Sequence, residues 1–137
     1  MGNELQNKMS GGSSILFNIV MCPRYLRKIF DISGVEDRFR KLMDGIAEEN
    51  GYEISKLDCG PNYFLLRIRV PPSVSPNNVV NAIKAGTSSI LISEFEELSR
   101  IPNLWTRNFY VTTADKVPHS AIQKYVNSQK RDRSNGK

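Results

Sequence analysis

The stretch NYFLLRIRV at residues 62–70 decides how this chain is read. Asn62, Phe64, Leu66, Ile68 and Val70 fall on one side of an extended backbone, and Tyr63, Leu65, Arg67 and Arg69 on the other. Successive side chains of a strand point to opposite faces, so this alternation predicts a strand, closed by Pro71-Pro72. The turn Asp58-Cys59-Gly60-Pro61 separates it from a second extended segment, Tyr52 to Leu57.

Working outward, Val35, Phe39, Leu42 and Ile46 recur at helical spacing. Ser33 with Glu36 has the form of a capping box at the start of that helix, and Asn50-Gly51 has the form of a left-handed stop. Before it, ILFNIVM at 15–21 reads as a largely buried strand ended by Cys22-Pro23. After the central strand, Ser75-Pro76 is a helix start with proline at the first helical position. Val79, Val80, Ile83, Ile90 and Leu91 give that helix an apolar side, while Gly86 and Thr87-Ser88-Ser89 weaken its middle. Ser93 to Ile101 is acidic, loop-like or helical; Trp105 to Thr112 reads as a last strand and Pro118 to Lys130 as a last helix.

The order strand, helix, strand, strand, helix, strand, helix is that of an α+β fold. It predicts a ferredoxin-like antiparallel sheet with helices on one face, plus an additional C-terminal helix. At 137 residues one domain is expected, with a flexible leader over 1–13, the domain over 14–130 and a basic tail over 131–137. No apolar run approaches the ~18 residues of a membrane span, and the polar start lacks a secretory signal, so a cytoplasmic protein away from membranes is expected. Cys22 and Cys59 sit in no metal-binding spacing and read as reduced thiols. The net charge is +5, and from Lys124 onward five cations stand against Asp132 alone, a plausible footprint for nucleic acid.

Five segments in order carry more than these patterns do: FNIVMCPRYLRK at 17–28, VEDRFRKLMDGIAEENGYEI at 35–54, LLRIRVPPSVSPNNVVNAIKAGTSS at 65–89, LWTRNFYVTT at 104–113 and IQKYVNSQ at 122–129. Together they resemble the single-tyrosine HUH transposases of bacterial insertion sequences, the IS200-like group. The resemblance implies a homodimer that recognises hairpins in single-stranded DNA, and a metal-assisted attack of a tyrosine hydroxyl on a DNA phosphate. It assigns the nucleophile to Tyr125 and a metal-ligand amide to Gln129, four residues on and on the same helical face.

The departure lies in the metal site. The family's His-hydrophobic-His motif, registered on LLRIRVPP, falls on Asn62-Tyr63-Phe64. Phe64 has no lone pair and Asn62 offers only a neutral amide. His119 is the sole histidine, so no shift of register restores the pair. Asn18 and Met21 also stand where relatives carry histidine and tryptophan. Tyr125, Gln129 and Asn62 are accordingly read as vestigial. No cofactor is expected, and Mg²⁺ or Mn²⁺ enters only if an oxygen donor such as Asp58 builds an unconventional site.

DNA binding rests on other groups: Arg24, Arg27 and Lys28 after the first strand, Arg67 and Arg69 on the central strand, and Lys84 on the second helix, with Tyr25 or Tyr63 able to stack on a base. Each of these taken singly reads as an ordinary surface charge or packed aromatic; the case is collective. Three functions follow in order: a catalytically inactive binder of single-stranded or hairpin DNA, regulatory in role; a working transposase with a non-standard metal site; and a dimeric interaction module that no longer touches DNA.

Overall fold

A computed structural model describes residues 13–135, with side chains through residue 130. Residues 1–12 of the expected leader and 136–137 of the expected tail lie outside the described residues. The elements are β1 (Ile15–Met21), α1 (Val35–Asn50), β2 (Glu53–Cys59), β3 (Phe64–Val70), α2 (Pro76–Glu94), β4 (Tyr110–Thr112) and α3 (His119–Asn135), with single 3₁₀ turns at Arg24–Leu26, Ile29–Asp31 and Glu96–Leu98. The sheet order is β2-β3-β1-β4, with every pairing antiparallel. This is the split βαβ arrangement expected of the α+β reading.

The parity of β1 and β3 sorts the core into two layers. Phe17, Ile19 and Met21 join Phe64, Leu66, Ile68 and Val70 under α1 and α2, where Phe39, Met43, Val79, Val80 and Ile83 meet them. Four aromatic rings occupy the centre: Phe39 lies 5.1 Å from Phe30, 5.0 Å from Phe64 and 5.7 Å from Trp105. On the opposite face Val20 and Leu65 pack with Cys22, Leu26 and the α3 residues Ile122 and Val126. The additional helix therefore covers part of the second face of the sheet.

Three local expectations are revised. First, Ser33 does not cap α1. Gly34 is the N-cap with φ 85°, and no side chain accepts from the first turn. The left-handed step at Gly34 sets Ser33 one residue too far out, and Glu36 instead pairs with Arg40 at 2.9 Å, one turn on. The other end of α1 follows the sequence, Gly51 closing it at φ 74°.

Second, α2 starts on reciprocal bonds between Ser75 and Asn78 and runs unbroken through its apparently weak middle. A side chain at Gly86 would approach the Ile46 Cδ1 atom to 2.6 Å, so the glycine lets α1 and α2 pack closely. Thr87 donates its hydroxyl to the Ile83 carbonyl at 2.7 Å and accepts the Trp105 indole N–H at 2.9 Å.

Third, the expected strand from Trp105 to Thr112 shrinks to Tyr110–Thr112. Trp105 turns into the aromatic cluster instead, and its segment is pinned by Thr106 N–H to the Cys22 carbonyl (2.9 Å) and Arg24 N–H to the Leu104 carbonyl (2.8 Å).

Replacing Thr87 by valine keeps the shape but strands the buried indole N–H, which should cost about 1–3 kcal/mol. Urea unfolding of Thr87→Val against Thr87→Ser, which retains the acceptor, measures it. Burial pushes both thiols up, Cys22 and Cys59 each to about 12. A thiol whose pKa is higher folded than unfolded favours the folded chain while neutral. Its contribution is complete below pH ~9 and is lost as pH rises toward 12. Thermal melts should therefore show falling stability across that interval, with a shallower slope in Cys22→Ala.

Candidate nucleic-acid site

α3 presents Ile122, Val126 and Gln129 to the protein interior, all buried, and Tyr125 half-buried beside them. The Tyr125 ring lies 6.2 Å from that of Tyr110. Its hydroxyl shares one proton between the Asn108 carbonyl (3.2 Å) and the Asn108 Oδ1 (3.0 Å). Both acceptors are amide oxygens, which hold a phenolic proton without being basic enough to remove it. Gln129 Nε2 donates to Ser128 Oγ at 3.2 Å, and Ser128 in turn donates to the Tyr125 carbonyl. Tyr125 and Gln129 are thus brought to the same region, as their spacing predicts.

The two motif positions on the strand need correction. β3 begins at Phe64, and that ring is fully buried on the α1/α2 face, 5.0 Å from Phe39 and 5.3 Å from Trp105. Asn62 lies in the bend before the strand. The side chains at this end of β3 that belong to the same core layer as Tyr125 are Tyr63 and Leu65. Alternation along an extended backbone allows no other outcome: two residues that share the Tyr125 face must both have the parity of Leu65.

The donor set on that face is poor. Leu65 has no lone pair, Tyr63 offers a phenol and Gln129 an amide. Asp58, directly across from Leu65 in the sheet, is exposed and 3.5 Å from Lys56. Among the described residues no group of three or more His, Cys, Asp or Glu side chains converges to hold a metal. One carboxylate beside neutral oxygens does not fit a divalent centre built for imidazoles. Asn18, buried on the same face, donates its amide to the Ala114 carbonyl at 2.6 Å and so ties β1 to the connection between β4 and α3.

The expected cations divide into two groups. Arg67 stands across from Asn18 and Arg69 across from Leu16, two and four residues along β3 from Leu65 on the same face. Arg69 reaches Ser14 Oγ at 3.3 Å. Arg24 and Lys84 instead line an open cleft of about 500 Å³ with Asn81, Ser88, Asn103 and Arg107. Lys84 donates to the Arg107 carbonyl at 3.3 Å. Partial burial and the charges of Arg107 and Arg24 hold its ammonium below the ordinary lysine range. Arg27 and Lys28 are exposed on the same turn as Arg24.

Within that turn Tyr25 and Leu26 take left-handed backbone at φ 62° and 52°, a conformation that costs non-glycine residues about 1–3 kcal/mol each. Leu26 is buried in the second core layer as a result, and Tyr25 is exposed with the Arg24 guanidinium 5.8 Å from its ring centre. Sequence reasoning missed Arg107 and Asn108 because both fell inside an expected strand. The polar run Thr106-Arg107-Asn108 was the available sign of a loop.

The profile of the transposase IS200-like family matches residues 12–129. Over 116 residues the chain is 22% identical to the ISDra2 transposase TnpA of Deinococcus radiodurans, with 82% of each protein covered. It superposes on the crystal structure of a candidate transposase from Deinococcus radiodurans R1 with TM-score 0.78 and 23% identity, covering 86% of this chain and 92% of that one. A REP-associated tyrosine transposase bound to a REP hairpin superposes with TM-score 0.54 and 11% identity, covering 88% of this chain and 65% of that one. At these identities the two structures establish a common fold.

The revised parity is testable by grafting. Tyr63→His with Leu65→His places both imidazoles on the α3 face of the sheet and should create Mn²⁺ binding measurable by calorimetry. Asn62→His with Phe64→His puts a polar ring into the aromatic cluster and should instead lose about 3 kcal/mol or more of stability without gaining the metal. Equal metal binding by the two double variants would contradict the assignment.

Proposed function

The chain belongs to the IS200-like transposase family, and on that premise we propose that it binds single-stranded or hairpin DNA as a homodimer and no longer cuts it. One observation supports the loss of cleavage: the β3-end side chains that share the second core layer with Tyr125 are Tyr63 and Leu65, which supply no imidazole.

The chemistry of a tyrosine attacking a phosphodiester explains the weight of that observation. A phenol with pKa ~10 is a feeble nucleophile at neutral pH. The pentavalent transition state also gathers negative charge that needs a fixed cation beside it. Loss of a single stabilising contact already slows such reactions ~10²–10³-fold. Here Tyr125 is hydrogen-bonded to amide oxygens, and Leu65 lies in the core layer that Tyr125 packs against.

Binding depends on different atoms. Arg24, Lys84, Arg27 and Lys28 on one side, with Arg67 and Arg69 along the sheet face, are suited to neutralising phosphates on a strand that passes the α3 edge. The REP-associated relative is seen with a hairpin bound, which supports a hairpin as the ligand of this chain. No helix among the described residues is long and apolar enough to cross a membrane. A second reading, a working transposase, draws on Asp58 across from Leu65 as an oxygen donor for Mg²⁺ or Mn²⁺.

Fluorescence anisotropy with labelled hairpin DNA should show an affinity that falls with salt, with a log–log slope of roughly −2 or steeper if three or more single-strand phosphates are contacted. Absence of binding at low salt would sink the proposal. Incubation of the hairpin with protein and Mn²⁺ should leave no denaturation-resistant protein–DNA adduct. An adduct that disappears in Tyr125→Phe would establish the second reading instead.

A further inference from the structure

The cleft between α2 and the 103–107 loop has a composition that the fold does not require. Three cations, Arg24, Lys84 and Arg107, converge on it, and no carboxylate lines it. None of the three forms an ion pair among the described residues; the pairs there join Arg38 to Glu94, Arg40 to Glu36 and Lys56 to Asp58. Like charges gathered without a counter-charge repel one another; partial burial first, and then the charges of Arg107 and Arg24, hold the Lys84 ammonium below its ordinary range. A cluster of this kind is relieved by an anion.

The walls of the cleft are held in place. Ser88 and Lys84 are one turn apart on α2, and Ser88 Oγ accepts the Leu104 N–H at 3.2 Å. Arg24 is anchored through its own N–H to the Leu104 carbonyl at 2.8 Å. Trp105, locked to Thr87, fixes the same loop from inside. The three cations therefore come from three segments that are bonded to one another, so the backbones that carry them are already in place before a ligand arrives. Arg107 is followed directly by Asn108, whose oxygens hold the Tyr125 hydroxyl. The cleft and the α3 site are thus consecutive along one short loop.

We infer that this cleft is a phosphate-binding subsite, and that its ligand is the phosphodiester backbone of a nucleic-acid strand leading past Tyr125. The inference rests on the DNA-binding reading above and narrows it to named groups. Two features favour a polymer over a free anion. The cleft is open to solvent, and exposed Arg27 and Lys28 follow Arg24 in the chain and add positive charge beside it. A strand seated there spans the cleft and the tyrosine together.

The test compares wild type, Lys84→Gln with Arg107→Gln, Ala85→Glu and the control Lys41→Gln, an exposed α1 cation away from the cleft. Each is titrated with a labelled oligothymidylate and with hairpin DNA across salt concentrations, after a thermal melt to confirm folding. Ala85→Glu keeps every cation and adds a carboxylate at the cleft wall, so it stands in if the double variant fails to fold. The expected result is a loss of affinity of roughly tenfold or more in both cleft variants, a salt slope shallower by roughly 1 to 1.5 in the double variant, and little change in Lys41→Gln. Wild-type binding that both cleft variants retain within about twofold would overturn the subsite while leaving DNA binding intact. No DNA binding by wild type would overturn the subsite and the broader reading together. In parallel, ¹⁵N-labelled wild type is titrated with the oligothymidylate and with inorganic phosphate. Backbone amides of Lys84 and Arg107 should move with the oligonucleotide, and movement with inorganic phosphate alone would assign the cleft to a free anion and defeat the inference.

Discussion

The bond from the Trp105 indole N–H to the Thr87 hydroxyl, buried at both ends, is the constraint on which the arrangement turns. It brings the largest side chain of the protein into the aromatic cluster with Phe30, Phe39 and Phe64 and holds it against the centre of α2. Trp105 itself pairs with Pro23 only as an isolated antiparallel bridge, and the ladder does not continue through residues 106–108. Leu104 is buried, Thr106 bonds back to the end of β1, and Arg107 and Asn108 emerge as a loop. Those last two residues reach the cleft and the tyrosine hydroxyl. The packing of one indole thus sets the geometry of both candidate binding regions.

Alternation along β3 settles the character of the rest. A one-residue difference in register exchanges every side chain between the α1/α2 face and the α3 face. Phe64 is a central core residue because it has one parity; Leu65 joins the layer beneath α3 because it has the other. The α3 face is therefore packed with leucine, valine and tyrosine, and α3 rests on it as an ordinary amphipathic helix does. Apolar residues on this face give α3 a stable seat.

The charge distribution is separate from that packing. Cations at the α2 cleft, on the turn after β1 and on the exposed end of β3 come from distant parts of the sequence and share no structural task with the second core layer. A cationic surface of this kind does not depend on the groups beside Tyr125, because phosphate neutralisation needs charge and approximate placement, whereas phosphoryl transfer needs closely fixed geometry. The left-handed turn at Tyr25 and Leu26 belongs to the same edge. It drives Leu26 into the core and presents Tyr25 outward beside Arg24, and the backbone cost is borne where the chain passes from β1 to the cleft.

The amino-acid sequence alone determined the element order, the antiparallel α+β architecture, the stop of α1 at Gly51, the start of α2 at Ser75-Pro76 and the family, because each depends on local backbone chemistry or on residues taken in chain order. It also placed Tyr125 and Gln129 on one helical face, since that follows from spacing. Tertiary structure decided what depends on contacts between distant segments. Gly86 and Thr87 looked like weak points in a helix and are the positions where α1 and Trp105 must fit. Trp105 looked like part of a strand and is the hub of the core. Arg24, Lys84 and Arg107 lie far apart in the chain and share a cleft only once α2, the turn after β1 and the 103–107 loop are bonded together. Which of Phe64 and Leu65 faces the tyrosine was also beyond the sequence, for the alternation names two faces and only the docking of α3 selects one.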